Sequence, residues 1–361
     1  MKYRETYTLP FKYDIPTFID KYLSERDVVM SYIKFFKRLL FININFQKSL
    51  ECISISESHK RILWINISAP SLGDSLMDLS SRTLLKGREV DLFTSRKNYS
   101  LYSGDTSFNN VFKSYKEFNH NKKYDLVIID SYSTRSIKIK IKLARKTPFV
   151  GMFGFYNGPE VNRVLFSFHR MNQLLGYEQS RENIASLSKP SIFISEEDKV
   201  IVDSINLPKK FISIVLGGEW DYRKYNNWVN VIKRLIEVFP NIKVAILGSS
   251  NALVDATIVK EKFKDSTIID CVNFFSFNQT AEIISRSQIT ISCDGGLMHA
   301  ANSVGAKTIS LFARLTPSMQ LTNSIQSFPI FDKEDVNNIT SNQIFSKVIE
   351  AVNFYDISLH T

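Results

Sequence analysis

The strongest constraint in this chain is an alternation of short apolar runs with stretches of helical spacing, which occurs in two successive series. In the first series, residues 62–67 (ILWINI), 90–94, 125–130 (DLVIID) and 149–153 read as buried strands. Residues 75–86 and 161–176 read as helices; Val164, Leu165, Phe168, Met171 and Leu175 give the second one an apolar face, and Gly176 can end it. In the second series, strands are expected at 211–216 (FISIVL), 244–247, 268–269, 288–292 and 308–312. Helices are expected at 227–239 and 276–285, the latter opened by a capping box of Ser276 and Gln279. Strands alternating with helices build parallel sheets from βαβ units. Two such series, joined by a less regular stretch near 177–209, predict two α/β domains facing a central cleft. The expected divisions are an N-terminal helical extension over 1–60, domains over 61–190 and 191–340, and a C-terminal helix or tail over 341–361.

One segment sets two rules against each other. Residues 135–143 (RSIKIKIKL) alternate perfectly, and by period alone that is a half-exposed strand. They directly follow a strand, however, and the crossover to the next parallel strand needs a helix. A helix is therefore expected.

A chain of 361 residues suits two domains, and 44% hydrophobic with 23% charged residues is the composition of a globular protein. The three cysteines, Cys52, Cys271 and Cys293, contain no CxxC pair; they give neither a zinc knuckle nor a disulfide framework and fit a reducing cytosol. The first fourteen residues hold no apolar core, so no signal peptide is expected there. Residues 28–46 (VVMSYIKFFKRLLFININF) come nearest to a membrane segment, but Lys34, Lys37 and Arg38 interrupt them before about 18 apolar residues accumulate. They read either as a basic, aromatic-rich helix on an anionic membrane surface or as an ordinary helix packed on its own domain. The second is the expectation. The net charge of +10 is concentrated in residues 86–150, which hold fourteen Lys and Arg against six Asp and Glu. Such a bias points to an anionic partner, whether nucleic acid, phospholipid headgroup or phosphorylated glycan, or else to a solvated lysine-rich face.

Three loops carry candidate chemistry. In residues 292–305 (SCDGGLMHAANSVG) an apolar run meets Asp294-Gly295-Gly296 and passes into Leu297, Ala300, Ala301 and Val304, which have helical spacing. Strand, glycine turn and helix leave backbone N–H groups at a helix start, where an anion binds. His299, in the first turn, is either an added donor or a packed histidine; Asp294 is either a ligand or an N-cap. The second loop, 68–75 (SAPSLGDS), follows the first strand, and ligands of open α/β sheets lie beyond the carboxyl ends of strands. Asp74 there is a candidate general base, or an N-cap. The third, 216–225 (LGGEWDYRKY), follows the first strand of the second series, and Gly217, Gly218, Arg223 and Lys224 make a second candidate phosphate cradle, or a surface loop.

Several patterns are missing from the sequence: GxGxxG after Ile67, a Walker GxxxxGK[ST], HExxH, GxSxG and Asp-x-Asp. Their absence counts against dehydrogenase, NTPase, metalloprotease and serine-hydrolase chemistry. The nearest acidic cluster, Glu196-Glu197-Asp198, falls in the irregular stretch.

Taken together, the three loops resemble glycosyltransferase family 9, the lipopolysaccharide heptosyltransferases and their relatives, over roughly residues 61–320. ILWINISAPSLGD looks like the family's opening strand with its Leu-Gly-Asp, and residues 292–301 look like its Asp-(Thr/Ser)-Gly-x-x-His signature. Gly217 to Tyr225 resembles its Pro-Gly-Ala…Trp…Lys-Arg-Trp loop, and LFARLTP is a degraded Leu-Phe-Gly-Pro-Thr-Asp-Pro. The resemblance implies a GT-B fold of two Rossmann-like domains, the first for acceptor and the second for nucleotide-sugar. It implies inverting transfer without cofactor or metal, with Asp74 as base and Arg223 stabilising the leaving diphosphate. Gly295, Gly296 and Leu297 would hold the diphosphate through backbone N–H groups; Asp294 and His299 would contact sugar or phosphate, and Phe275 would line an adenine pocket. Gly217, Gly218 and Lys224 complete the donor set. The chain departs from the family at Arg223, where Lys is usual, at Gly295, where Thr or Ser is usual, and at Ser249–Ala252, which lacks a ribose-binding Glu.

The implied function is transfer of heptose or a related sugar, from ADP-heptose in the first instance, to a lipopolysaccharide or lipooligosaccharide core. The implied partners are a nucleotide-sugar, a phosphorylated glycolipid and an anionic inner-membrane surface, with no nucleic acid. The implied place is the cytoplasm, peripheral to the inner face of the bacterial inner membrane. Two alternatives stand beside it: a glycosyltransferase-like protein that only binds a glycan or a partner, and a GT-B-like epimerase acting without acceptor.

Overall fold

The computed structural model describes residues 28–156, 161–263 and 267–359. The first fourteen residues, read above for a signal peptide, the rest of the extension before Val28, and the last two residues of the tail lie outside them. The chain divides into two compact units after Ser188.

The first unit opens with helix α1 (Val28–Ile44) and contains a five-stranded parallel sheet, ordered β3-β2-β1-β4-β5. Its strands are β1 (Arg61–Asn66), β2 (Glu89–Thr94), β3 (Asn110–Phe112), β4 (Leu126–Ser131) and β5 (Phe149–Gly154). Between and after them run α2 (Leu72–Asp78), α3 (Thr134–Ala144), α4 (Arg163–Leu175) and α5 (Arg181–Leu187). Leu63, Ile65 and Ile67 of the β1 segment meet Ile137 and Ile139 of α3 and Ile42 of α1 in one apolar cluster. Each such side chain withdrawn from water contributes about 1.5–3 kcal/mol. Met77 of α2 and Val164 and Phe168 of α4 pack together in another cluster.

The second unit begins with α6 (Glu196–Asp203) and has a six-stranded parallel sheet, ordered β11-β10-β9-β6-β7-β8. The strands are β6 (Phe211–Val215), β7 (Lys243–Leu247), β8 (Ile268–Asp270), β9 (Ile289–Cys293), β10 (Thr308–Ala313) and β11 (Ser327–Asp332). Helices α7 (Trp228–Val238), α8 (Leu253–Lys262) and α11 (Ser341–Phe354) share one core cluster with Ile212, Ile214 and Leu216. Helices α9 (Phe277–Arg286) and α10 (Gly296–Ser303), with α6, share a second cluster with Phe211 and Val215. Alternate residues of β6 thus face helices on both sides, as a doubly wound parallel sheet requires.

The expected strands are present, and α9 carries the capping box of Ser276 and Gln279. Helix α4 ends on Gly176 with φ 71°. Other expectations need correction. The helix expected over 75–86 starts earlier, because Ser71 is its N-cap; it gives way after Asp78 to a 3-10 segment, Ser80–Leu85. Ser75 sits inside it, its hydroxyl turned to Asn66 Oδ1 at 3.0 Å. The stretch 177–209 is not irregular: it holds α5 and α6, each too short to show a period. Glu196, Glu197 and Asp198 form the first turn of α6, where acidic side chains complement the helix dipole, and Ser195 caps it. Edge strands β3 and β11 were not anticipated; β11 contains Pro329, which only an edge accommodates. Helix α8 was not anticipated because it has no clean apolar face; Leu253, Val254 and Ile258 are exposed.

Residues 135–143 are helical within α3, capped by Ser133, which accepts from Ser136 N at 3.1 Å. An alternating sequence wound at 3.6 residues per turn cannot keep its lysines outside. Ile137, Lys140 and Ile141 fall on one stripe, and Lys140 is fully buried. Its Nζ donates to Gln47 Oε1 at 2.6 Å and Arg145 O at 3.0 Å and lies 5.0 Å from the Phe149 ring centre. Burial lowers its pKa from the usual 10.5 to about 7. The folded state therefore binds fewer protons than the unfolded chain between those values, and this group makes stability rise with pH across that window. Thermal unfolding from pH 7 to 10 checks this: Lys140→Met is expected to lack that part of the rise.

Candidate active site

In each sheet the strand order reverses at one place, between β1 and β4 in the first unit and between β6 and β9 in the second. Loops leaving the carboxyl ends of such a strand pair diverge to opposite faces and open a crevice, where ligands of open α/β sheets bind. All three loops singled out in the sequence leave these strands.

In the first unit, the loop after β1 is held from beneath by Asp130 at the end of β4. One carboxylate oxygen accepts from Ile67 N at 2.8 Å and Ser68 N at 2.6 Å, and the other from Ser136 Oγ at 2.7 Å. The chain then enters α2 with Ser71 at the N-cap and Asp74 three residues on. Ser71 Oγ accepts from Asp74 N at 3.1 Å and donates to Asp74 Oδ2 at 2.5 Å. Asp74 is thus not the N-cap but the N3 partner of one. Its other oxygen lies 3.5 Å from Arg163 NH1 at the start of α4. Arg163 also holds Asp78 in a two-pronged bond, Nε to Oδ1 at 2.8 Å and NH2 to Oδ2 at 2.7 Å. Burial raises the Asp78 carboxyl from 3.8 to about 6, against the opposing pull of Arg163. Arg163, Asp78 and Asp130 escaped the sequence reading. Only Asp130, an acid at the end of an apolar run, carried a local signal.

In the second unit, Gly217 and Gly218 turn the chain sharply after β6. Gly217 has φ 79°, and a Cβ there would lie 2.8 Å from Asn251 Oδ1. A Cβ on Gly218 would lie 3.2 Å from Arg223 O. Gly217 is therefore needed for the loop to fold back on residues 251–252, Gly218 lets it pass close to the backbone of residues 223–224, and Asn251 Nδ2 ties this turn by donating to Gly218 O at 3.0 Å. The returning 3-10 turn, Asp221–Arg223, brings Arg223 NH1 to 3.1 Å from Asp294 Oδ2 at the end of β9. The Asp294 side chain is 2% exposed and that of Arg223 19%. Lys224 turns to Asp255 at 3.5 Å.

Helix α10 starts directly beyond. Gly295 is its N-cap, in extended conformation, and no side chain caps the helix. The first N–H groups of a helix have no partner within it, so this end presents donors and positive potential. A Cβ on Gly295 would meet only Cys293 O, at 3.9 Å, so a side chain fits there. His299 is buried, and Leu297 packs into the α9–α10 cluster. Phe275 packs in the same cluster, while its neighbour Phe274 is 72% exposed. Burial pushes the thiols of Cys271 and Cys293 up to about 12, which leaves them inert as nucleophiles. Among the described residues no group of three or more His, Cys, Asp or Glu could hold a metal ion, and no helix is long and apolar enough to cross a membrane.

The model of glycosyltransferase family 9 (heptosyltransferase) matches residues 157–335, which include Arg163 and the whole Arg223–Asp294–α10 arrangement. The chain carries a glycosyltransferase family 9 domain. Glycosyl transfer is the chemistry of that domain; Asp74 precedes the matched span. Among solved structures the fold is similar to a family 9 glycosyltransferase from Veillonella parvula DSM 2008, with TM-score 0.67 and 14% identity over 84% of this chain and 100% of that one. It is similar to the E. coli ADP-heptose lps heptosyltransferase II, with TM-score 0.65 and 16% identity over 82% and 100%. It is also similar to E. coli heptosyltransferase WaaC, solved with ADP, with TM-score 0.57 and 15% identity over 81% and 98%. Likeness at such identities is likeness of fold, here the GT-B class. No curated protein matches by sequence.

The Arg163 network has a measurable consequence. The Asp78 carboxyl is expected to titrate near pH 6 by carboxyl carbon NMR, and higher in Arg163→Ala, where the opposing charge is gone. Because the folded value lies above the unfolded one, the stability this group contributes is full below about pH 4 and lost as pH rises through 6.

Proposed function

We propose that the family 9 domain makes this protein an inverting, metal-independent transferase, which moves heptose or a related sugar from a nucleotide-sugar, ADP-heptose in the first instance, to a lipopolysaccharide or lipooligosaccharide core. The observation that carries the donor side is Arg223, fixed by a buried aspartate at the β6–β9 switch point beside the uncapped start of α10. A guanidinium and a row of backbone N–H groups suit a diphosphate, and they stabilise the charge that grows on it as the sugar leaves. In this reading the protein, rather than a metal, neutralises that charge. Gly295, Gly296 and Leu297 contribute N–H groups; Gly217 and Gly218 shape the loop that presents Arg223; Lys224 borders it. Asp294 orients Arg223, His299 stands in the first turn of α10, and the base lies toward Phe274 and Phe275.

On the acceptor side, Asp74 takes the proton from a sugar hydroxyl. The freed oxygen attacks the anomeric carbon from the face opposite the diphosphate, the bond to the diphosphate breaks, and the configuration inverts. Ser71 and Arg163 orient the carboxylate on two sides. Removal of a general base typically costs 10²–10⁴-fold.

The acceptor reading places the protein on the anionic inner face of a membrane, in the cytoplasm, and the surface of the first unit supports it. Helix α1 packs Phe35, Leu39 and Ile42 inward and leaves Ile33, Phe36, Leu40 and Ile44, one helical stripe, each more than half exposed. The adjoining α3 exposes Arg135, Lys138 and Lys142, and Lys138 Nζ lies 5.8 Å from the ring centre of Phe41 on α1. Neither helix contains an acidic residue. Apolar insertion flanked by lysines and arginines is the chemistry of an anionic lipid surface.

With ADP-heptose and a heptose-deficient core acceptor, Asp74→Asn is expected to lower kcat by about 10²–10⁴-fold while donor binding persists. Full activity in that variant, or no turnover of any nucleotide-sugar by the native chain, would falsify the reading, and binding without turnover would mark the glycan- or partner-binding alternative. Arg223→Gln leaves Asp294 buried and uncompensated, at a cost of about 3–5 kcal/mol. The double variant with Asp294→Asn is expected to recover stability but not turnover. Gly295→Ser is expected to fold normally and to bind ADP more tightly, by calorimetry. For the membrane face, co-sedimentation with phosphatidylglycerol vesicles but not phosphatidylcholine vesicles is expected, and its loss in Phe36→Glu/Leu40→Glu.

A further inference from the structure

We infer that Arg314 is a second diphosphate-binding cation of this chain, a role that rests on the nucleotide-sugar reading above. The backbone gives the first indication. Arg314 has φ 65°, a left-handed conformation that disfavours any residue with a Cβ and is commonly left to glycine, asparagine or aspartate. A strained conformation persists only where its surroundings fix it, and such positions cluster at functional sites.

Its position is the second. Strands β9 and β10 run in register through Cys293 and Leu311, and Asp294 N donates to Leu311 O at 2.8 Å. Residues 294–296, which follow β9, and Arg314, which follows β10, therefore leave neighbouring strands at the same end of the sheet. Arg314 thus leaves the carboxyl end of the strand beside the one that leads through Asp294 into α10.

The side chain is the third. Arg314 Nε donates to Glu334 O at 3.2 Å, which fixes the plane of the guanidinium, and its carbon lies 3.9 Å from the centre of the Tyr222 ring. The Arg223 guanidinium lies 5.3 Å from the same ring centre. Tyr222 thus gathers two arginines, one from the loop after β6 and one from the end of β10, around the Asp294–α10 corner. Each has a rigid fork suited to two phosphate oxygens. A diphosphate, with several acceptor oxygens and more than one negative charge, matches two forks better than one.

Arg314→Gly tests this without straining the fold, since glycine adopts the observed φ freely, and Arg314→Asn is a second variant tolerant of it. Tm without ligand is expected not to fall. Affinity for ADP, by calorimetry, is expected to fall about ten- to a hundredfold, the effect of losing a charge-assisted bond. Affinity for adenosine, by ligand-observed NMR, is expected to change less than about twofold. Retained ADP affinity overturns the assignment, and so does a parallel loss of ADP and adenosine binding together with a lower Tm, which marks a structural brace. A native chain that binds none of ADP, GDP and UDP removes the donor reading, and this role with it; a native chain that binds ADP as tightly as the variants removes the role alone.

Discussion

Parallel strands oblige every connection to carry the chain from the carboxyl end of one strand back to the amino end of the next, and the rest of this structure follows from that obligation. In both units the strand order reverses once, so two neighbouring strands send their following loops to opposite faces and leave a gap between them. The sheets are built from buried apolar runs with helices on either side, and those runs have few polar atoms to offer. The polar residues that matter stand where the strands stop: Asn66 and Asp130 in one unit, Asp294 in the other. Chemistry and core are separated by a residue or two along each strand.

At both gaps the same electrostatic device appears. An arginine from a different element is brought to a nearly buried aspartate: Arg163 to Asp78, with Asp74 beside it, and Arg223 to Asp294. A buried ion pair is weak evidence for stability, because withdrawing both charges from water cancels much of their attraction. Its use here is orientation. Arg163, gripped at two atoms by Asp78, has its plane set before any ligand arrives, and Arg223 is drawn to its place by the charge of Asp294. The glycines after β6 serve the same end, since they let the loop fold back far enough to deliver Arg223.

Much of this was legible in the sequence, for a physical reason. Buried strands of a doubly wound sheet are apolar on both faces, so 62–67, 125–130 and 211–216 stood out as runs. The helix after Gly295 stood out by its 3.6-residue spacing. What escaped was of two kinds. Short or one-sided elements, β3, α5, α6 and β11, bury too little to impose a period. Residues whose importance is purely spatial gave no motif: Arg163 lies 89 positions from Asp74 in the chain, and nothing near either announces the other. Asp294 and Asp74 were found by their loops, yet their partners became visible only in three dimensions. The helical reading of 135–143 succeeded because connectivity was ranked above local period.

That last segment has a consequence for how the chain behaves before it is folded. Its alternation of isoleucine and lysine favours an extended strand, and only the crossover between β4 and β5, with α1 packed alongside, makes it a helix. Local preference and final structure disagree there, as they seldom do elsewhere in a minimally frustrated sequence. Until that crossover forms, the local preference of the segment is for a strand with one apolar face, the kind of element that pairs with copies of itself. The lysines on its other face then act as gatekeepers, since stacked copies bring like charges together. The same alternation that buries Lys140 in the finished helix thus sets like charges against one another wherever unfinished copies would stack.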